Sequence, residues 1–334
     1  MNTIKLLLLM FSISANLLGQ NKTIGKLIVN DPAFYELIDK EAKIEVLAEG
    51  FNWSEGPVWN KEGACLLFSD VPENTIFKWK EEEGLSVFLK PSGFTGIPPY
   101  SLEPGSNGLI INRDGELVAC EHGDRRLTRM ALKGGEGKYP LADNWKGKRF
   151  NSPNDVVQAS NGTYYFTDPP YGLPNREHAT TREIDLFGVY KVQKGGPAEL
   201  VIENLSRPNG VALSPDETIL YVAQSDPDAA FILSYPIKSN GDLGEGKVLF
   251  DATDMVKSGL AGLPDGLKTD KNGNIFSTGP GGILVLRPNG KLLGRIETGE
   301  ATSNCNWGDN GSTLYITADS YLCRIRTKTT GKGF

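Results

Sequence analysis

One short pattern returns along most of the chain and limits what it can fold into. A residue that offers a side-chain oxygen, Asn, Asp or Glu, precedes a short apolar run, and seven residues later comes a tight-turn dipeptide followed by a second run. Glu55 stands in this relation to Glu62-Gly63, Asn107 to Asp114-Gly115, Asn154 to Asn161-Gly162, Asn209 to Asp216-Glu217 and Asp265 to Asn272-Gly273. The fullest copy is Ser152-Pro153-Asn154-Asp155-Val156-Val157 with the strand-like run Thr163 to Asp168; a degenerate sixth copy runs from Ser303 to Asn310-Gly311. Self-similarity in units of roughly 40–55 residues, built of strands and tight turns, is the signature of a propeller blade. The expected fold is therefore all-β, a six-bladed β-propeller.

The ends of the repeat frame say how the ring should close. The last unit supplies three strand-like runs, around Cys305, Leu314 to Thr317 and Leu322 to Arg326, and so lacks a fourth. The alternating run Ile44 to Leu47 is the natural donor. Closure by this N-terminal strand would remove the sheet edges that an open propeller must otherwise manage. Residues 44–334 are thus expected to form six four-stranded blades, preceded by a lead-in over 21–43 with a helical stretch around Ala33 to Ile38. Residues 1–20 read as a signal peptide. Lys5 precedes the apolar run Leu6 to Phe11, which declines through Ser12, Ser14 and Ala15 to Gly19-Gln20 and is too short to span a bilayer. An exported protein, secreted or periplasmic, with no membrane partner, is the expectation.

Length alone, 334 residues, would suggest about two domains, but the single repeat frame argues for one, and a monomer is expected. A formal net charge of −6 without a basic stripe excludes the electrostatic footprint of a nucleic-acid binder. Cys65, Cys120, Cys305 and Cys323 lie inside apolar runs and read as small buried hydrophobes, although a Cys305–Cys323 pair stays open. Trp53, Trp59 and Trp307 read as core, and Arg125 and Arg126 as solvated charges at a blade edge. The uneven connections 94–105, 139–150 and 171–185 read as walls or lids over one mouth of the channel.

The chemistry enters through the residue that opens each unit. The first strand of a propeller blade lines the central channel, so Glu55, Asn107, Asn154, Asn209, Asp265 and the Ser303-Asn304 corner should form a ring about the axis. Two carboxylates and several amide oxygens brought together away from water carry a large desolvation cost unless something positive pairs with them. An all-oxygen set without His or Cys favours Ca²⁺ or Mg²⁺ over zinc.

These residues also carry a resemblance. Glu55-Gly56-Pro57-Val58-Trp59, Ser152-Pro153-Asn154-Asp155-Val156, Pro208-Asn209-Gly210, Pro264-Asp265-Gly266 and Thr302-Ser303-Asn304-Cys305 resemble, in this order, the motifs of the gluconolactonase, regucalcin (senescence marker) and luciferin-regenerating family of six-bladed propellers. Cys120-Glu121-His122-Gly123-Asp124-Arg125-Arg126 and Phe166-Thr167-Asp168-Pro169-Pro170-Tyr171-Gly172 resemble its bacterial gluconolactonase branch. The resemblance implies a metal held by Glu55, Asn154, Asn209 and Asp265, usually Ca²⁺, with Mg²⁺ or Zn²⁺ as other divalent occupants. It also implies hydrolysis of a sugar lactone to the aldonic acid, with Asp265 serving as ligand and base. A carboxylate held by a cation is a weaker proton acceptor, so His122, which titrates near neutrality, is the rival for proton transfer. Asn107, Arg149, Tyr171 and His178 are the candidates for binding sugar hydroxyls. Hydrolysis of another ester or phosphoester, and a non-catalytic ligand- or calcium-binding propeller, are the alternatives.

Overall fold

The computed structural model describes residues 22–133 and 137–334; the expected signal peptide over 1–20 lies outside the described residues. Six antiparallel sheets stand around a central channel, and they follow one another in chain order except at the N-terminus. The innermost strands are Ser54–Asn60, Ser106–Ile111, Val156–Gln158, Pro208–Leu213, Leu267–Thr269 and Thr302–Gly308. Each turns back through a hairpin whose left-handed residue is a glycine in four units: Gly115, Gly162, Gly273 and Gly311, with φ between 78° and 87°. In the first unit Ala64 (φ 45°) takes that conformation in place of Gly63, and in the fourth Glu217 (φ 59°) does.

The ring closes as the strand count requires. Ile44–Glu49 lies antiparallel to Tyr321–Arg326, pairing Glu49 with Tyr321 and Val46 with Cys323. The lead-in does more than the sequence shows: Thr23–Ile24 pairs onto Ile44–Glu49, and Lys26–Val29 pairs onto Leu292–Glu297. The fifth and sixth blades therefore have five strands, a correction to six uniform four-stranded blades. The added strands cover two outer edges that would otherwise offer unpaired N–H and C=O groups. The expected helical stretch is a 3₁₀ turn, Pro32–Glu36, started by Pro32 and capped by Asp31, whose Oδ1 accepts the Ala33 N–H at 2.8 Å. It drives Phe34 and Ile38, both fully buried, into the core shared by the fifth and sixth blades.

All four cysteines are free and buried. Cys305 and Cys323 both face Ile316, on the strand that runs between theirs, so the open disulfide reading is settled against. Arg125 departs from expectation as well: it is 3% exposed, donating to the main-chain carbonyls of Phe150 and Thr181. Arg126 lies at the surface of its blade and pairs with Glu121 and Asp124.

What positions the site is the way each blade keys into the next at the start of its innermost strand. Ladder pairing skips between Glu55 and Val58, between Ser106 and Leu109, between Pro208 and Val211 and between Thr302 and Asn304. These bulges leave main-chain groups free to bond sideways. The Gly108 N–H donates to Asn154 O at 2.7 Å, and the Gly266 N–H to Ser303 O at 2.8 Å. Glycine follows the ring residue in four units, though not after Asn154 or Asn304; a Cβ on Gly56 would stand 2.1 Å from Asn107 O, and one on Gly210 2.1 Å from Asp265 O. Hydroxyls on the second strands add further bonds: Ser69 donates to Asn107 O, Ser225 to Pro264 O and Thr278 to Ser303 O.

Candidate metal and substrate site

The interlock brings Glu55, Asn107, Asn154, Asn209 and Asp265 to one mouth of the channel, around a cavity of about 490 Å³. Tyr171 lines it as well, together with Trp53, Glu103, Arg176 and Ser225. A second cavity, about 550 Å³, opens at the opposite end, where the same innermost strands finish, and Lys268 lines it. Between the two, the buried Asp155 accepts the Val211 N–H and lies 3.8 Å from the Lys268 ammonium. The carboxylates and amide oxygens of the ring all belong to the first cavity.

Asn209, Asn154 and Asn304 are each aimed by a hydrogen bond whose direction is fixed by its partner. The Ser225 hydroxyl gives its proton to Pro264 O at 2.6 Å, so it can only accept from Asn209 Nδ2, at 2.9 Å. Asn209 Oδ1 is left buried without a hydrogen-bond partner, as are Asn107 Oδ1 and Asp265 Oδ1. His122 orients Asn154 by the same logic. The Glu103 carbonyl, 3.1 Å from Nδ1, can only accept, so Nδ1 carries the proton and Nε2 accepts from Asn154 Nδ2 at 3.3 Å. His122 is fully buried behind Asn154, and burial lowers its pKa to about 4. Asn304 offers the ring no oxygen: its Oδ1 accepts the Cys305 N–H and its Nδ2 donates to Glu55 Oε2 at 3.1 Å.

The two ring carboxylates are held in an environment hostile to negative charge. Burial raises the Glu55 pKa to about 8 against the opposing bonds from the Gly56 N–H and Asn304. Asp265 is raised well above the carboxylate range, by burial first and then by the charge of Glu55. Two orphaned amide oxygens, on Asn107 and Asn209, beside the carboxylates of Glu55 and Asp265, which burial disfavours as anions, make a donor set suited to a hard divalent cation. Among the described residues no group of three or more His, Cys, Asp and Glu is placed to hold a metal ion. A cation here would depend on the amide oxygens as much as on Glu55 and Asp265.

Arg149 and His178 do not line this cavity. Arg149 is exposed on the short hairpin with Asn144–Trp145 and donates to Asp124 O at 3.0 Å; His178 is exposed in the 3₁₀ turn Arg176–His178. Of the connections expected to wall the mouth, 94–105 contributes Glu103 and 171–185 contributes Tyr171 and Arg176, whereas 139–150 contributes nothing to it. Trp53, expected in the core, is half-buried on the cavity wall, whereas Trp307 is buried in the core as expected and Trp59 packs partly buried against it, both toward the far end of the channel. Sequence reading missed Glu103 and Arg176, whose only signal was membership of a Pro- and Gly-rich or irregular connection.

Residues 53–320 match the family model described as the SMP-30/Gluconolactonase/LRE-like region. A gluconolactonase of Zymomonas mobilis is 44% identical over 315 residues, covering 92% of this chain and 88% of its own. The lactonase Drp35 of Staphylococcus epidermidis is 28% identical, over 72% of this chain and 68% of its own. Among solved structures, a gluconolactonase of Xanthomonas campestris superposes with a TM-score of 0.79 at 29% identity, over 92% of this chain and 98% of its own. A calcium-binding regucalcin of Agrobacterium tumefaciens shares the fold, with a TM-score of 0.66 at 19% identity over 86% and 94% of the two chains.

Proposed function

Because the chain belongs to the SMP-30/gluconolactonase/LRE-like family, we propose that it hydrolyses a sugar lactone to the aldonic acid with the help of a divalent cation. The observation that carries the reading is the ring of oxygens at one channel mouth, in which Asn107 Oδ1, Asn209 Oδ1 and Asp265 Oδ1 are buried without a partner. Glu55, Asn154, Asn209 and Asp265 would hold the cation, and Ca²⁺ suits the all-oxygen set. Such an ion supplies positive charge to a carbonyl oxygen as it becomes an oxyanion.

The protein's own groups do the rest. Asp265, kept ionised by the cation it helps to hold and with Oδ1 buried free of any hydrogen bond, accepts a proton at its carboxylate from the water that attacks the lactone carbonyl carbon. Collapse of the tetrahedral adduct breaks the bond between that carbon and the ring oxygen. The proton taken by Asp265 then passes to the ring oxygen, which leaves as a hydroxyl on the open-chain acid. His122 already uses both ring nitrogens, one on Glu103 O and one on Asn154. Its role in this scheme is to aim Asn154, not to move the proton. Asn107 and Tyr171, on the cavity wall, are suited to hold sugar hydroxyls.

A pH-stat assay across aldonolactones, run on chelator-treated protein and again after adding Ca²⁺, tests the reading. Acid release that vanishes with chelator and returns with the ion is the expected result; release indifferent to both would remove the cation from the scheme. Export through residues 1–20 is part of the same proposal, supported by their sequence alone. Cell fractionation and the N-terminal sequence of the mature protein check it.

A further inference from the structure

Two connections meet over the cavity through one ion pair. Arg176 Nη2 donates to Glu103 Oε1 at 2.9 Å, joining the loop before the second blade to the one that interrupts the third. The Arg176 guanidinium also lies over the Tyr171 ring, 5.9 Å from its centroid. The pair is held firmly on both sides. Asn175 (φ 60°) and Arg176 (φ 50°) are consecutive non-glycine residues in the left-handed region, a strained arrangement that brings the arginine to the mouth. The Glu103 carbonyl takes the His122 Nδ1–H.

Charge at the mouth is unbalanced in a way that bears on the substrate. Among the described residues that line the cavity, Glu55, Glu103 and Asp265 are acids and Arg176 alone is cationic. Glu103 holds that cation, and the nearby Arg207 is committed to Glu177 at 3.1 Å. The Glu103 side chain is only 18% exposed, and its second carboxylate oxygen receives no hydrogen bond from a described residue. A divalent ion on the ring would neutralise the remaining excess of two negative charges and leave none of either sign to spare.

We propose that the Glu103–Arg176 pair selects the substrate: the free oxygen of Glu103 accepts a hydroxyl of a neutral, polyhydroxylated lactone, while its hold on Arg176 denies phosphorylated or carboxylated lactones a cation. The inference rests on the lactonase reading and extends it to a substrate class. A site built to accept a hydroxyl proton penalises analogues that lack the hydroxyl, and a mouth whose one arginine is already paired offers an anionic group no free cation.

The test uses the full chain with its metal and three probes: glucono-δ-lactone, its 6-phosphate, and δ-valerolactone, which has no hydroxyls. For Glu103→Gln, the ratio of kcat/KM on gluconolactone to that on valerolactone should fall about tenfold, through KM. The ratio of the phosphorylated to the neutral sugar lactone should rise about tenfold, because Arg176 is released. In the double variant Glu103→Gln, Arg176→Gln that second gain should disappear. Arg176 is half exposed, so Arg176→Gln alone is a folded control, checked by thermal melt. Equal losses on all three probes, or a wild-type enzyme that prefers the phosphorylated lactone, would overturn the proposal while leaving a lactonase. A wild-type protein that hydrolyses none of the three would overturn both readings.

Discussion

Replacing Asp265 by Asn separates proton transfer from the architecture of the ring. Asn keeps the shape and one oxygen but cannot take a proton from water. The main-chain bond from Asp265 N–H to Thr278 Oγ1 at 3.1 Å does not involve the side chain and should survive. The orphaned Oδ1 makes no hydrogen bond whose loss would unfold the mouth. Two effects are therefore expected. One of two ring carboxylates is lost, so cation affinity falls; at saturating metal, turnover stays depressed by roughly 10²–10⁴, the usual contribution of a positioned general base.

His122→Gln gives the contrast. It keeps an acceptor, Oε1, for Asn154 Nδ2 but gives up the Nδ1–H bond to Glu103 O that fixes the ring's orientation, one neutral hydrogen bond worth about 0.5–1.5 kcal/mol. If that bond only aims the amide, the loss should appear as metal affinity weakened by roughly two- to tenfold, with kcat largely recovered when metal is in excess. The assay is single-turnover and steady-state lactone hydrolysis at metal occupancy matched by titration, with a melt of each variant because bound ion also stabilises the fold. Full recovery of Asp265→Asn by added Ca²⁺, with His122→Gln folded, loaded and inactive, would refute this assignment and move the base to His122.

Further outcomes follow from the same geometry. Chelation should lower the melting temperature, since an ion present at about 100 times its Kd stabilises the folded state by about 2.7 kcal/mol; an unchanged melt would mean that no ion binds. Ser225→Ala frees the Asn209 amide to rotate and should weaken metal binding by roughly tenfold or less, measured by calorimetry. Burial raises the Cys305 and Cys323 thiols to about 12, and all four cysteines are buried. A thiol reagent should therefore label none in the native protein and four after denaturation.

The sequence disclosed what recurs and concealed what occurs once. Ring residues could be read because each blade must start at the axis, so Glu55, Asn107, Asn154, Asn209 and Asp265 hold equivalent places in the first five units. Closure was legible because a missing strand can be counted. The strands Thr23–Ile24 and Lys26–Val29 were not, because they are short, stand outside the repeat and are defined by the edges they cover. Arg125 looks like any exposed charge until the carbonyls of Phe150 and Thr181 are seen around it. Arg149 fails as a substrate contact for a related reason: its loop packs outward, and no local pattern encodes which side of a blade a long connection covers. Glu103 and Arg176 are far apart in the chain and meet only because two irregular loops cross the same mouth.

The ring also explains why the site and the fold should fail together. Gly210 has room for no side chain, since a Cβ would stand 2.1 Å from Asp265 O, so Gly210→Ala must push the fourth and fifth blades apart or displace Asp265. Main-chain displacement in a packed setting costs about 1–3 kcal/mol, and the atom displaced belongs to the proposed base. Gly115, by contrast, has nothing within 4 Å of its Cβ position, and its φ of 78° makes alanine strained there without touching the ring. Both variants should melt lower than wild type by comparable amounts. Only Gly210→Ala should also lose metal affinity and turnover when assayed well below its melting point. Equal activity in the two would mean that the blade contact at Gly210 supports the fold without setting the position of Asp265, and the link argued between interlock and site would be broken.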